Sequence, residues 1–167
     1  MRRCLLVIDV QNDYFPGGAL PLWQAQETEA RILAEMARCR ADGREIVLVR
    51  HESTAATGLF AAGSAGSAIR PAILAAAPDA PVVTKRHADA FQDTTLGRHL
   101  SGIADVLVCG MMTQNCVTFT AMSELAGGVR LRVAGELCTA PTEIVHRVAL
   151  NALLSKGRIV SCGDVEP

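Results

Sequence analysis

The chain has almost no charge imbalance: 17 acidic against 16 basic residues, a net charge of -1 over 167 residues. A nucleic-acid binder shows a basic excess or stripe, and a membrane-surface protein shows a polybasic cluster; neither is present. No apolar run approaches the ~18 residues of a spanning helix. The first apolar run follows Arg2 and Arg3 but meets Asp9 too soon for a secretory signal, so a cytosolic protein is expected. No two of the six cysteines are spaced C-x-x-C, which excludes a zinc ribbon or a thioredoxin-type motif. In a cytosolic chain of this size disulfides are not expected, and most of the six read as small core hydrophobes. The chain also lacks G-x-G-x-x-G after its first strand and lacks a G-x-x-x-x-G-K-[ST] loop, so a nucleotide-binding doubly wound domain is not indicated. Aromatics are few: one Trp, one Tyr and four Phe. Where those six fall therefore carries information.

Apolar residues make up 50% and charged residues 20%, a globular composition. The length suits one domain, spanning 1–167, with a core that buries about two-thirds of the unfolded surface. Short apolar runs alternate with longer helical patterns. Strands are predicted at residues 4–8, 46–49, 81–84, 106–109, 129–133 and 158–160, the first as a continuous run buried on both faces. Helices are predicted at 25–42, 68–77, 96–100, 113–126 and 142–155, the fourth with Thr113 as its N-cap and Gly127-Gly128 as its stop. Residues 53–67, rich in Ala, Gly and Ser, read as a mobile loop. The alternation implies an α/β domain with a parallel sheet covered by helices on both sides.

In such sheets ligands sit beyond the carboxyl ends of the strands. Strand one closes in Asp9 and strand three in Lys85, both read as inner strands. Cys116 falls in the first turn of the helix after strand four. An acid, a cation and a thiol on one rim form a nucleophilic site. The helix terminus and a neighbouring ammonium would lower the thiol pKa, and the carboxylate could take and return its proton. A buried carboxylate is costly, so Asp9→Asn is expected to spare the fold.

The segments LLVIDVQNDYFPGGAL, RHESTAATGLFAAGS, TKRHADAFQDTTL and CGMMTQNCVTFTA carry a further reading. They resemble, in order and over nearly the whole chain, the corresponding segments of the isochorismatase-like cysteine hydrolases, which include nicotinamidases and N-carbamoylsarcosine amidases. The resemblance implies a Rossmann-like, three-layer α/β/α sandwich with a mostly parallel six-stranded sheet. It places the family's catalytic triad on Asp9, Lys85 and Cys116. It also implies a cis peptide between Met111 and Met112, led into by Gly110, with the Met112 and Cys116 N–H groups forming an oxyanion hole.

Two features depart from the patterns that the resemblance implies. The family's nicotinamidases have an Asp-x-His metal pair after the second strand; here the place reads Val49-Arg50-His51. No metal is therefore expected, and the ligand-like spacing of His87 and Asp89 is a weak signal; the expected chemistry implies no organic cofactor. The family's isochorismatases carry a smaller residue in place of the nucleophile; the presence of Cys116 points to amide rather than vinyl-ether hydrolysis.

Pocket walls are expected from Tyr14, Phe15, Trp23, Phe91 and Phe119, with Gln11 and Asn115 orienting substrate or water. His51 is placed at the pocket edge, and His99 and His146 are assigned to surface or packing. The expected function is hydrolysis of a C–N bond in a small-molecule amide through a thioester, by a homo-oligomer of two or more copies. No nucleic-acid or membrane partner is expected. The alternative is a non-catalytic binding or interaction protein of the same fold.

Overall fold

A computed structural model describes residues 2–161; Cys162 and the last five residues lie outside it. Six strands form one sheet: β1 (Arg3–Ile8), β2 (Glu45–His51), β3 (Val82–Lys85), β4 (Asp105–Met111), β5 (Arg130–Thr139) and β6 (Ile159–Val160). Their order is β3-β2-β1-β4-β5-β6, and every neighbouring pair is parallel. The connecting helices are α1 (Ala25–Ala41), α2 (Pro71–Ala76), α3 (Leu96–His99), α4 (Thr118–Ala121) and α5 (Glu143–Ser155). The order of growth reverses between β1 and β4, which makes their carboxyl ends the crevice of the sheet.

Alternation along the central strands divides the core into two. Leu5 and Val7 of β1 join Leu48, Leu107 and Cys109 beneath Ile32, Met36 and Cys39 of α1. Cys4, Leu6 and Ile8 face the other way, with Val47, Val49, Val106 and Val108, against Leu96, Val117 and Leu153. Helices thus cover both faces, and the inner strands are apolar at nearly every position because both of their faces are buried.

Three local readings need correction. β3 is an edge strand, not an inner one: Val82 is 45% exposed, while Val83 and Lys85 turn inward. β5 runs on past Val133 to Thr139, through a register shift that pairs Val108 with Val133 but Gly110 with Cys138. Gly135 and Glu136 interrupt the apolar run, so the second half of β5 was hidden in the sequence. The predicted helix 113–126 is three pieces: a π-helical turn (Thr113–Val117), α4, and a 3-10 turn (Glu124–Ala126). Met112, not Thr113, caps its start. The Thr113 hydroxyl instead lies 2.9 Å from the Thr139 carbonyl and 2.8 Å from His146 Nδ1. The carbonyl can only accept, so the hydroxyl donates to it and His146 Nδ1–H donates to the hydroxyl. His146, assigned to surface or packing, is buried and ties the start of the turn to α5.

Candidate active site

The sheet delivers four side chains to the β1/β4 crevice and its β2–β3 flank. Asp9 ends β1 in a left-handed conformation (φ 52°), which aspartate tolerates better than most residues. Its N–H still bonds the Val49 carbonyl at 3.0 Å, so the chain leaves the sheet exactly one residue after β1 while staying tied to β2. On the neighbouring strand Gly110 has φ +116°, and a Cβ there would stand 2.0 Å from the Ile8 carbonyl oxygen. Only glycine lets β4 lie this close to β1 before the chain turns into the nucleophile segment. The Met111–Met112 peptide that follows is cis. The Met112 carbonyl accepts from the amides of Asn115 (3.0 Å) and Val117 (3.2 Å), which closes the wide turn around Cys116.

Lys85 is the hub. Its Nζ lies 2.8 Å from Asp9 Oδ2, 3.1 Å from Cys116 Sγ, 3.0 Å from His51 Nδ1 and 3.1 Å from the His87 carbonyl. An ammonium has three N–H bonds for these four neighbours, so the sulfur competes with harder acceptors. Asp9, Lys85 and Cys116 are 0%, 1% and 3% exposed. Burial alone would depress the Lys85 pKa; it is nonetheless held above that of ordinary lysine, chiefly by the Asp9 charge. For Cys116 the balance is opposite. Burial is the largest effect and the Asp9 carboxylate adds to it; together they overcome Lys85 and push the thiol up to about 12. This corrects the expected low thiol pKa. The turn carrying Cys116 and the four-residue α4 after it are too short for a strong helix field, and the ammonium is shared. Lys85 is thus an ammonium and Cys116 a thiol at rest.

His51 is a site residue, not only a pocket edge. A lysine above its ordinary pKa donates to Nδ1, so the imidazole is neutral with its proton on Nε2. Burial and Lys85 both lower its pKa. Gln11, expected to orient substrate, does something else. It is fully buried, donates to the His51 carbonyl (2.8 Å) and the Ser67 carbonyl (2.7 Å), and accepts from the His51 N–H at 2.8 Å. Both amide hydrogens are taken by backbone, so Gln11 positions His51.

The aromatic residues separate. Phe15 is buried under the Arg70 guanidinium at 4.3 Å, and Phe91 is in the second core cluster. Both are structural. Trp23 is half-buried 5.7 Å from the His146 ring, beside β5, and Phe119 is 56% exposed. Asn115 is half-buried within the nucleophile turn. The aromatic missed by sequence reasoning is Phe60, buried 4.8 Å from the Tyr14 ring and 5.7 Å from the His51 ring. It sits in the loop read as mobile. That loop is pinned because Asp13 accepts from the Phe60 N–H at 2.7 Å and from Ala19 N at 3.2 Å. A Cβ on Gly66 would strike the same carboxylate at 2.1 Å. The acid at Asp13, four residues after Asp9, was the available signal.

The residues present do not fit a resident metal. Val49 is a buried core residue with no ligand atom. Asp9, His51 and Cys116 bring donor atoms within 4.8 Å of one another, but the Lys85 ammonium already lies 2.8–3.1 Å from all three. His87 pairs with Asp93, and the Asp89 carboxylate accepts from Phe91 N and the Ser123 hydroxyl, so those two do not share a centre.

Residues 3–164 match the isochorismatase domain model. The chain is 28% identical over 166 residues to the isochorismatase family protein YddQ of Bacillus subtilis, covering 92% of each. It is 31% identical over 136 residues to a streptothricin hydrolase of Streptomyces noursei, covering 77% of this chain but only 46% of that enzyme. A crystal structure described as an isochorismatase hydrolase from Oleispira antarctica superposes with a TM-score of 0.87 at 30% identity, over 98% of this chain and 95% of the other. The chain belongs to the isochorismatase family of hydrolases.

Proposed function

We propose that the protein hydrolyses a carbon–nitrogen bond in a small amide through a thioester on Cys116. One observation carries the reading: a single buried ammonium bridges the Asp9 carboxylate and the Cys116 sulfur, at 2.8 and 3.1 Å. With the thiol protonated at rest, Asp9 takes its proton only as the sulfur attacks the substrate carbonyl. The Lys85 charge then passes from serving the carboxylate to serving developing negative charge on sulfur. The Met112 and Cys116 N–H groups hold the oxyanion. Collapse breaks the C–N bond, Asp9 returns the proton to the nitrogen, and ammonia or an amine leaves. Water, deprotonated by Asp9, adds to the thioester; collapse frees the acid and restores the thiol. No step uses a metal or an organic cofactor.

The streptothricin hydrolase likeness supports hydrolytic chemistry within the family. Among the described residues no helix is long and apolar enough to cross a membrane.

A panel of small primary amides assayed for ammonia release tests the reading, with Cys116→Ala as control and mass analysis of acid-quenched enzyme. Turnover lost in the control, with an acyl mass on the Cys116 peptide, is the expected result. Binding without ammonia or adduct would instead make the protein a non-catalytic binder.

A further inference from the structure

The turn that carries Cys116 is held from outside. A π-helical turn such as Thr113–Val117 is rare and occurs mostly as a single turn at functional sites. Its wide backbone bond, from the Val117 N–H to the Met112 carbonyl at 3.2 Å, leaves the place of the turn to what its side chains tie to. Thr113 makes the tie to β5 and α5. It is fully buried, and its hydroxyl donates to the Thr139 carbonyl at 2.9 Å and accepts from His146 Nδ1–H at 2.8 Å. Both anchors are themselves fixed. The Thr139 hydroxyl donates to the Trp23 carbonyl, and the Trp23 N–H donates to the Ala140 carbonyl at 3.0 Å. Leu153 seats α5 in the second core cluster, and Thr142 caps its start by accepting from the Val145 N–H at 3.3 Å. The Trp23 ring packs against the imidazole, 5.7 Å between centroids.

We propose that His146 is a positioning residue for the hydrolysis: its Nδ1–H, acting through the Thr113 hydroxyl, holds in place the two amides that receive the oxyanion. The inference rests on the amidase reading above. Thr113 directly follows Met112 and stands three residues before Cys116, so both oxyanion donors of that reading inherit its place. The Thr113 hydroxyl has one proton, and the Thr139 carbonyl, which can only accept, takes it. The second partner must then be a donor. An apolar residue or a carboxylate at position 146 cannot fill that role. The oxyanion exists only in the transition state and the intermediate, so misplaced donors slow turnover without weakening substrate binding.

Three variants of the full chain and one double variant test this. His146→Asn keeps an amide N–H as many bonds from Cα as Nδ1 is. His146→Leu removes the donor at similar bulk, and Thr113→Val removes the hydroxyl and keeps the shape. On the best small primary amide, His146→Leu and Thr113→Val should each lower kcat roughly 10- to 100-fold at unchanged KM. The double variant should fall no further than either single one, because both remove the same hydrogen bond. His146→Asn should recover most of the lost kcat. Should His146→Leu fail to fold by circular dichroism, Thr113→Val carries the same comparison.

A second readout needs no substrate. Cys116 is 3% exposed, so a loosened turn should raise its rate of alkylation by iodoacetamide about tenfold in His146→Leu and Thr113→Val but not in His146→Asn. A wild type that turns over no amide, with this alkylation pattern intact, would refute the amidase reading while supporting His146 as the anchor of the turn. Full kcat in His146→Leu, a loss confined to KM, additive losses in the double variant, His146→Asn no better than His146→Leu, or unchanged labelling of Cys116 overturns the inference.

Discussion

Asp9 and Lys85 form an ion pair whose side chains are both 0% exposed at 2.8 Å, and its energetics can be worked from that geometry. At an effective dielectric constant of about 20 the attraction is roughly 6 kcal/mol. Desolvating each ion costs several kcal/mol, so the pair nearly breaks even against apolar residues of the same shape. Breaking it on one side is different. Asp9→Asn leaves an ammonium with a neutral amide, and Lys85→Met leaves a carboxylate with no counter-charge; each should cost about 3–5 kcal/mol. The double variant removes both charges and should cost less than about 2 kcal/mol, a coupling of several kcal/mol. This reverses the expectation from sequence that Asp9→Asn spares the fold, because that expectation weighed only the cost of burying the carboxylate and not the buried ammonium its loss would leave behind. Urea unfolding at pH 7, followed by fluorescence of the single tryptophan, Trp23, and by far-ultraviolet circular dichroism, reads these values. Strictly additive losses, or an Asp9→Asn protein as stable as wild type, would refute the pairing argument. All three variants should lack turnover, since the trio acts on one proton and one charge.

Alkali should destabilise the fold. Cys4, Cys39 and Cys116 are all held up to about 12 by burial, above the ordinary value of 9.0, so the folded chain keeps protons that the unfolded chain loses. Stability is full below pH 9 and should fall by up to about 1.4 kcal/mol per pH unit per thiol between 9 and 12; a flat urea midpoint there would be the contrary result. His51, with its pKa lowered, acts at the acid end. Its contribution is full above pH 6.5 and erodes as pH drops from 6.5 toward the lower folded value, so kcat/KM should hold through pH 6.5 and fail only below it. Gly110→Ala should cost more than about 3 kcal/mol and leave little soluble protein, because both φ +116° and the Ile8 carbonyl oppose a Cβ; normal expression would show that β4 can shift. Gln11→Leu should lower kcat through a displaced His51 while leaving KM for the best amide nearly unchanged, and a pure KM effect would return Gln11 to substrate contact. Exhaustive chelation should leave turnover intact, and activity restored by added zinc, iron or manganese would overturn the metal-free reading.

The apolar runs at residues 4–8, 46–49 and 106–109, and the periodic helices between them, were determined by the sequence itself. A strand buried on both faces must be apolar throughout, and a helix covering it must be apolar every third or fourth residue, so the pattern carries the architecture. Asp9 and Lys85 were legible because each closes an apolar strand, and Cys116 because it falls in the first turn after the fourth strand. Tertiary structure alone decided what depends on relative position. The sequence could not show that β3 is an edge strand, that β5 resumes beyond Gly135, or that Gln11 holds the His51 backbone from 40 residues away. It could not place Phe60 against His51 through Asp13, because that contact links two loops with no period to read. The protonation of Cys116 was also beyond it. Nearby charges suggested a thiolate, but burial, which exists only once the chain has folded around the sulfur, keeps the proton in place.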